Sequence, residues 1–263
     1  MKIQTSPMKS ATKPLNITKN SFHWKHYEGE IILLNVRWYC SYGLSYRDLV
    51  EMMEERGLNL VHTTIMRWVH QYAPQIDRKI RPHLKRTGKS WRVDETYIKV
   101  KGKWTYLYRA VDKEGKTLDF VLRAKRDAKA ASRFFKKTLK VNYTQSPRVI
   151  NVDKNPALSC AIEDLKTDDL LPVKTVLRQV KFLNNIVEQD HRFIKKITKP
   201  ALGFQSCRTA SRTLCGIEAM HMIRKGQIKR AVIGDAKSST VRRGKLVLSS
   251  STNCLDWRVN KQF

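Results

Sequence analysis

The sequence predicts an α/β fold in which a mixed sheet with helices is preceded by an all-helical module. Before residue 77, apolar residues recur at a spacing of about 3.6. From residue 90 the spacing changes to about two, and short apolar runs then alternate with amphipathic segments. The resulting order β-β-β-α-β-α-β-α is typical of a layered α/β domain.

The all-helical module is assigned to residues 22–76 and contains three predicted helices. The recurring apolar residues of the first helix are Ile31, Leu34 and Trp38. Ser45 is a good N-cap for the second helix, and Asp48, three positions later, completes a variant of the capping box. Gly57 supplies the left-handed residue at which this helix stops.

The third helix contains the stretch HTTIMRWVHQYAP and is expected to end at Pro74. Its apolar face is formed by Ile65, Trp68, Val69 and Tyr72. The opposite face carries Thr64, Arg67 and Gln71, which we expect to contact DNA, because a helix, a short turn and a polar, cationic helix form the helix-turn-helix pattern. The alternative is an ordinary helical hairpin with a solvated face.

The α/β domain is assigned to residues 90–228, after a basic linker at 77–89. Three consecutive strands, SWRVDETYIKV, KWTYLYRAVD and TLDFVLRAK, are joined by short turns and form an antiparallel meander. A helix, the short apolar strand PRVINVD and a helix capped by Asn155 follow. LPVKTVLRQV is predicted as the last strand, and NNIVEQDHRFIKKITKP as a helix opened by Asn184 or Asn185.

The charge of the chain points to a polyanionic partner. Its 263 residues contain 52 Lys and Arg against 23 Asp and Glu, a formal net charge of +29. Such an excess repels itself in a compact state unless a polyanion relieves it, so nucleic acid is the first partner to consider and an anionic membrane surface the second. No apolar run approaches the ~20 residues that span a bilayer, and the N-terminal stretch has no apolar region of a signal peptide.

Three carboxylates stand out in this basic chain. Asp94 lies within the first strand and Asp153 at the carboxyl end of the fourth, so parallel pairing of the two strands would bring them together. Glu188 lies on the last predicted helix, among the bases of the face opposite its apolar side: His191, Arg192 and Lys195.

Converging carboxylates repel one another, and divalent cations relieve that repulsion. Mg²⁺ prefers hard oxygen ligands, and two such ions can activate an attacking oxygen and stabilise a leaving oxygen of a phosphodiester. The acids are therefore interpreted as metal ligands in a nucleic-acid-binding protein. For each acid taken singly, a cap, a turn or a solvated side chain is the alternative. Zinc binding by Cys207, Cys215 and His221 is disfavoured, because their spacing matches no common site.

The spacing of these residues resembles the DDE transposase signature: 34 residues separate Asp153 from Glu188, and Lys195 follows seven positions later. More narrowly, the chain resembles the transposases of the IS6 family of bacterial insertion sequences. The matching segments span about residues 22–227 and include VRWYCSYGLSYRDLVEMMEERG, TTIMRWVHQYAP, VDETYIKVKGKWTYLYRAVDKEGKTLDF, INVDKNPAL, NNIVEQDHR and LGFQSCRTASRTLCGIEAMHMIRKGQ.

The resemblance implies an RNase H-like catalytic domain with a mixed five-stranded sheet behind a helix-turn-helix. It implies catalysis by Asp94, Asp153 and Glu188 with two Mg²⁺ (or Mn²⁺) ions, exposure of 3′-OH ends and strand transfer into target DNA. The implied partners are double-stranded DNA, as terminal inverted repeats and target, and further copies of the chain in a homodimer or larger synaptic complex. A cytoplasmic, nucleoid-associated bacterial protein without a membrane partner is expected. Arg192 and Lys195 are expected to hold DNA near the acids.

The two ends of the chain depart from the family pattern. Residues 1–21 are predicted to be a flexible basic arm, and residues 229–263 an atypical basic tail with little order. Rival functions are an RNase H-like nuclease that cleaves without joining, an inactive DNA-binding remnant of a transposase, and a regulator that uses only the helix-turn-helix. The three acids at these spacings argue against the regulator.

Overall fold

The computed structural model describes residues 26–153, 155–201 and 203–229, without the side chains of residues 181 and 182. The predicted basic arm at 1–21 and all but the first residue of the predicted tail at 229–263 lie outside the described residues. Within the described part, none of the helices combines the length and apolar character that a membrane crossing requires.

Three helices open the described chain: α1 (Gly29–Ser41), α2 (Tyr46–Glu54) and α3 (His62–Ile80). The predicted capping box of α2 is confirmed, because Ser45 Oγ accepts from the Asp48 amide at 3.1 Å and the Asp48 carboxylate accepts from the Ser45 amide at 2.8 Å. Gly57 has the expected left-handed conformation, with φ of 73°. The connection between α2 and α3 covers residues 55–61 and is longer than a short turn.

Two helical predictions were wrong in detail. The buried residues of α1 are Ile32, Leu33, Asn35, Val36, Tyr39, Cys40 and Ser41, whereas the predicted Ile31, Leu34 and Trp38 are only partly buried. The helical period was right but its phase was not, because α1 is covered from two sides, by α3 and by a helix near the carboxyl end of the described chain.

Helix α3 does not end at Pro74 but continues to Ile80. A proline inside a helix costs about 3 kcal/mol or more, since it removes one backbone hydrogen bond and crowds a carbonyl. Ile76 and Ile80 lie beyond it and are buried in the core, and each buried side chain of this size contributes about 1.5–3 kcal/mol. Tertiary packing therefore offsets the local cost of Pro74.

The segment predicted as a basic linker, 77–89, packs against the rest of the protein. Its first four residues belong to α3, and Arg81–His83 form a 3₁₀ turn. Leu84 and Thr87 are buried. Arg81 Nε donates to Asp77 at 2.8 Å and Arg81 Nη2 donates to Asp119 Oδ1 at 3.0 Å, which attaches the end of α3 to the sheet.

The sheet has five strands: β1 (Ser90–Val100), β2 (Lys103–Asp112), β3 (Thr117–Arg123), β4 (Val149–Asn151) and β5 (Val176–Arg178). Their spatial order is β3-β2-β1-β4-β5. β2 is antiparallel to β1 and β3, whereas β1, β4 and β5 run parallel. This is the mixed five-stranded, RNase H-like sheet that the sequence predicts, behind a helical module.

Helices cover both faces of the sheet. Alternate residues of β1 contribute to two cores: Trp91 and Val93 pack with α4 (Ala128–Leu139) and α5 (Pro156–Thr167), and Ile98 and Val100 pack on the other side. That second core is shared by α1, α2, α3, α6 (Asn185–Thr198) and α7 (Cys207–Arg224). The predicted order of elements omits α7, which lies against α1 and α3.

Candidate active site

Asp94 and Asp153 lie at corresponding positions of two neighbouring parallel strands. β1 pairs with β4 in the register Arg92 with Asn151, and each aspartate stands two residues beyond its partner of that pair. Asp94 is partly buried within β1, and Asp153 is exposed just after β4. The parallel pairing expected from the sequence is confirmed.

Asn184 connects the start of α6 to both of these strands. Its Oδ1 accepts from Asn151 Nδ2 at 2.6 Å, and its Nδ2 donates to the Val93 carbonyl at 3.4 Å. The helix begins at Asn185 with Asn184 at its N-cap position, as the sequence predicts, although the Asn184 side chain makes no cap bond to the helix. The side-chain amide of Asn184 bonds to the two strands instead. Glu188 lies one turn later and is exposed in the first turn of α6.

His191 is the second link between α6 and β1. Its Nε2 lies 3.2 Å from Asp94 Oδ2, and the residue is only 6% exposed. The sequence places His191 on the face of α6 that carries Glu188, opposite the apolar side. In the structure that face is not uniformly exposed: Glu188 is exposed, whereas His191 is buried against Asp94. α6 buries Asp190 and His191 as well as its apolar residues, because their partners lie on the sheet and on α7.

A buried charge network lies beneath Asp94. Arg109 of β2 is the cross-strand partner of Asp94 and is fully buried. Its Nε lies 2.7 Å from Glu218 Oε1 and its Nη2 lies 2.9 Å from Glu218 Oε2, in a bidentate pair with α7. Arg109 Nη2 also lies 3.3 Å from Asp190 of α6. One arginine therefore joins the sheet to both helices.

Asp190 has two further partners, His221 Nε2 at 3.2 Å and the Lys225 ammonium group. Burial alone would raise the pKa of Asp190, but the bond from His221 and the charges of Arg109 and Lys225 outweigh it and hold that pKa well below its usual range. Burial lowers the pKa of His221 and of Lys225. Sequence reasoning missed this network, although an arginine inside the apolar run of β2 was a signal that a buried anion must lie nearby.

A second set of polar contacts holds the loop that carries Asp153. Asn155 caps α5 by accepting from the Ala157 amide at 3.0 Å, as predicted, and its Nδ2 donates to Glu95 at 3.0 Å. Glu95 also pairs with Arg126. Burial raises the pKa of Glu95, and Arg126 and Asn155 only partly counteract it. Glu95 therefore attaches the segment after β4 to β1.

The donor types at this edge of the sheet suit a hard divalent cation. Carboxylate oxygens are the ligands that Mg²⁺ prefers, and Asp94 and Asp153 occupy adjacent strands. Within the described residues, no group of three or more His, Cys, Asp or Glu side chains is close enough to hold one ion as it stands. The zinc alternative fails on distance: Cys207 and His221 are separated by about 21 Å along α7.

The residues expected to contact DNA lie on the surface. Arg67 and Gln71 are exposed and Thr64 is partly exposed on α3, opposite the buried face predicted for that helix. Arg192 and Lys195 are exposed on α6, on the same side as Glu188.

The chain is similar to known transposases over most of its length. A family model described as a DDE domain matches residues 88–227. The transposase for insertion sequence-like element IS431mec of Staphylococcus aureus is 42% identical over 207 residues, covering 78% of this chain and 89% of that protein. The transposase for insertion sequence element IS257 in transposon Tn4003, also of Staphylococcus aureus, is 41% identical over the same length.

Among solved structures, the HTLV-2 integrase catalytic core domain in complex with magnesium (dimeric form) is similar with a TM-score of 0.41 and 18% identity, over 54% of this chain and 96% of that one. The family assignment rests on the two transposases and the DDE domain. The chain therefore belongs to the DDE transposases of the IS6 family of insertion sequences, enzymes that transfer DNA strands.

Proposed function

We propose that this transposase binds the terminal inverted repeats of its insertion sequence and joins their 3′-OH ends to target DNA at Asp94, Asp153 and Glu188. The observation that carries the proposal is the arrangement around Asn184. This residue bonds to β1 next to Asp94 and to β4 just before Asp153, and it precedes Glu188 by one turn. The side chain of Asn184 thereby connects the segments that carry the three carboxylates, which are distant in sequence.

The proposed chemistry depends on two divalent ions, Mg²⁺ or Mn²⁺, held by these three residues. Such ions, when bound, supply activation of the attacking oxygen and stabilisation of the leaving oxygen of a phosphodiester. The protein's own contribution is orientation. His191 holds one oxygen of Asp94, which leaves the other free for a ligand, and the Arg109 network holds α6 against the sheet. Outer contacts of this kind orient ligands at metal sites.

The DNA contacts belong to the same proposal. Thr64, Arg67 and Gln71 face the major groove from α3 in a helix-turn-helix, and Arg192 and Lys195 hold phosphates beside the scissile one. These assignments are supported by the formal net charge of +29 and by the surface positions of the side chains, of which Thr64 is partly exposed and the other four are exposed. Because two transposon ends must be brought together before joining, the working form is proposed to be a homodimer or a larger assembly on bacterial DNA.

An in vitro joining assay with a labelled transposon end, a target plasmid and Mg²⁺ tests the chemistry. Asp94→Asn, Asp153→Asn and Glu188→Gln each remove a charged ligand without adding bulk. Each is expected to abolish joining while the affinity for the end stays within about twofold. Joining at a rate close to that of the wild type in any one variant would remove that residue from the site. Cleaved ends without joined product in the wild type would support the nuclease instead.

The same substrates test recognition. Arg67→Ala is expected to lose about 1–3 kcal/mol of specific end binding if Arg67 reads a guanine, and to weaken binding evenly across sequences if it contacts phosphate. Lys174→Ala is the matched control, since Lys174 is exposed on the loop between α5 and β5 and belongs to neither α3 nor α6. Equal affinities of the wild type and Arg67→Ala for both end and random DNA would exclude α3 from the interface.

A further inference from the structure

The hairpin of β1 and β2 presents large aromatic side chains to solvent. Trp104 is 64% exposed and Tyr97 is 44% exposed, although both lie on a well-paired part of the sheet. The ring centroids of Tyr97 and Trp104 are 6.4 Å apart and those of Tyr97 and Tyr106 are 5.4 Å apart, each in an edge-on arrangement. An exposed cluster of this kind marks an interaction surface more often than a scattered apolar residue does.

Lysines surround these rings. Residues 97–106 contain Lys99, Lys101 and Lys103 and no acidic residue. Lys99 is the cross-strand partner of Trp104, and its Nζ lies 5.9 Å from the centre of the indole ring. All three lysines are exposed. The turn at residues 101–102 uses two left-handed residues, as tight hairpins require, so the cluster stands on a short and rigid support.

We propose that this aromatic–lysine hairpin, residues 97–106, binds unpaired nucleotides of a DNA strand next to the reacting ends. Bases stack on Trp104 and the neighbouring tyrosines, and phosphates lie beside the lysines. The inference rests on the proposed function and adds a strand-binding surface to it. Duplex DNA presents base edges and phosphates, and the lysines alone would be sufficient to bind these groups. The flat face of an indole is matched by the flat face of a base that is not stacked in a helix.

The position of the hairpin relative to Asp94 limits the path that such a DNA strand can take. Asp94 and Lys99 lie on the same strand, about 16 Å apart at the rise of an extended chain, and on opposite faces of the sheet. Because β1 is bonded to Phe204 at Lys99 and Lys101, a DNA strand held at Asp94 is expected to pass around the exposed turn at residues 101–102 to reach Trp104. In the simplest alternative, the aromatic rings only stabilise the hairpin through cross-strand packing.

Equilibrium binding of the full chain to a fluorescent single-stranded oligonucleotide and to a duplex of the same length separates these possibilities. Trp104→Leu keeps an apolar side chain but removes the ring, and is expected to weaken single-strand binding about 5- to 100-fold with at most a twofold effect on the duplex. Trp104→Phe is expected to restore most of the loss. Lys99→Ala is expected to weaken single-strand binding more than the matched control Lys174→Ala.

Photocrosslinking of the wild type with an oligonucleotide that carries a halogenated uracil gives an independent measurement that needs no variant. Crosslinked peptides are expected to include residues 97–106. Equal single-strand affinity of Trp104→Leu and the wild type would overturn the proposal. So would crosslinks confined to other segments, or a Trp104→Leu variant that loses only self-association or thermal stability. If any of these contradicting results is obtained with a wild type that joins ends normally, only the hairpin proposal fails. If the wild type joins no ends, the proposed function fails.

Discussion

At the scale of single residues, polar contacts between elements fix the segments that carry the acids of the candidate site. His191 of α6 contacts Asp94, and Asn155 with Glu95 fixes the loop that follows Asp153. Asn184 joins both strands immediately before the turn that carries Glu188. These supporting contacts fix the chain segments from which the three carboxylates extend.

His191 is a positioning residue, and substitution should affect the site without unfolding it. His191→Leu is expected to slow joining about 10- to 100-fold and to raise the Mg²⁺ concentration needed for half-maximal rate, because the Asp94 carboxylate loses its orienting bond. His191→Gln can place an amide nitrogen near the position of Nε2 and should recover much of the rate. The measurement is the joining rate across a Mg²⁺ titration. An unchanged Mg²⁺ dependence in His191→Leu would contradict this role.

At the scale of elements, α7 decides how the helical module meets the sheet. It lies against α1 and α3, and its Glu218 anchors Arg109 of β2. Gly216 permits the close approach: a Cβ at this position would lie 2.6 Å from Ala73 Cβ and 2.6 Å from Cys40 Sγ. α7 is therefore the element through which α1, α3 and the catalytic sheet are held together.

Gly216→Ala tests this packing. The added methyl group must push α7 away from α1 and α3, and overpacking of this kind costs about 1–3 kcal/mol. The gain in helix propensity of about 1 kcal/mol offsets only part of it. Ser211→Ala, on the exposed side of the same helix, is the matched control and should change stability by less than about 0.5 kcal/mol. Urea denaturation measures both, and a Gly216→Ala variant as stable as the wild type would show that the helices move apart freely.

At the scale of the whole molecule, one core joins the helical module to the sheet. Buried residues of α1, α2 and α3 pack with those of α7 and with Ile98, Val100 and Leu107 of the sheet. The part of the predicted linker 77–89 that follows α3 is bonded to the rest of the protein: Lys85 donates its amide to the Gln227 carbonyl at 2.7 Å, and Gly88 donates to Asp112 at 2.8 Å. The arrangement gives α3 little freedom to move apart from the catalytic sheet.

A single cooperative unfolding transition is therefore expected rather than two. In urea, tryptophan fluorescence and far-ultraviolet circular dichroism should give coincident transitions, because the module cannot unfold without exposing the core shared with the sheet. Addition of duplex DNA at low salt should raise the urea concentration at the midpoint of the transition, because binding to the folded state stabilises it. This increase should vanish at high salt. Two separated transitions, or a helical module that stays folded after the sheet is lost, would show that the units are independent.

The sequence by itself determined the elements whose signals are local. Spacing and turn chemistry predict the capping box of α2, the buried face of α3, the three-stranded meander and the Asn155 cap, and the segments shared with the IS6 family imply the mixed five-stranded sheet. Asp94 stands out because a carboxylate in an apolar strand is costly without a purpose. Asp153 and Glu188 could be named because their spacing resembles the DDE signature.

Tertiary structure alone decided the remainder, because it depends on which element lies opposite. Contacts with α7 or β1 determine the phase of α1, the continuation of α3 through Pro74, the burial of Asp190 and His191, and the network of Arg109. Asn184 occupies the N-cap position of α6, yet its side-chain amide bonds to β1 and β4 rather than to the helix. A residue's partners across the core are distant in sequence, and no local pattern contains them.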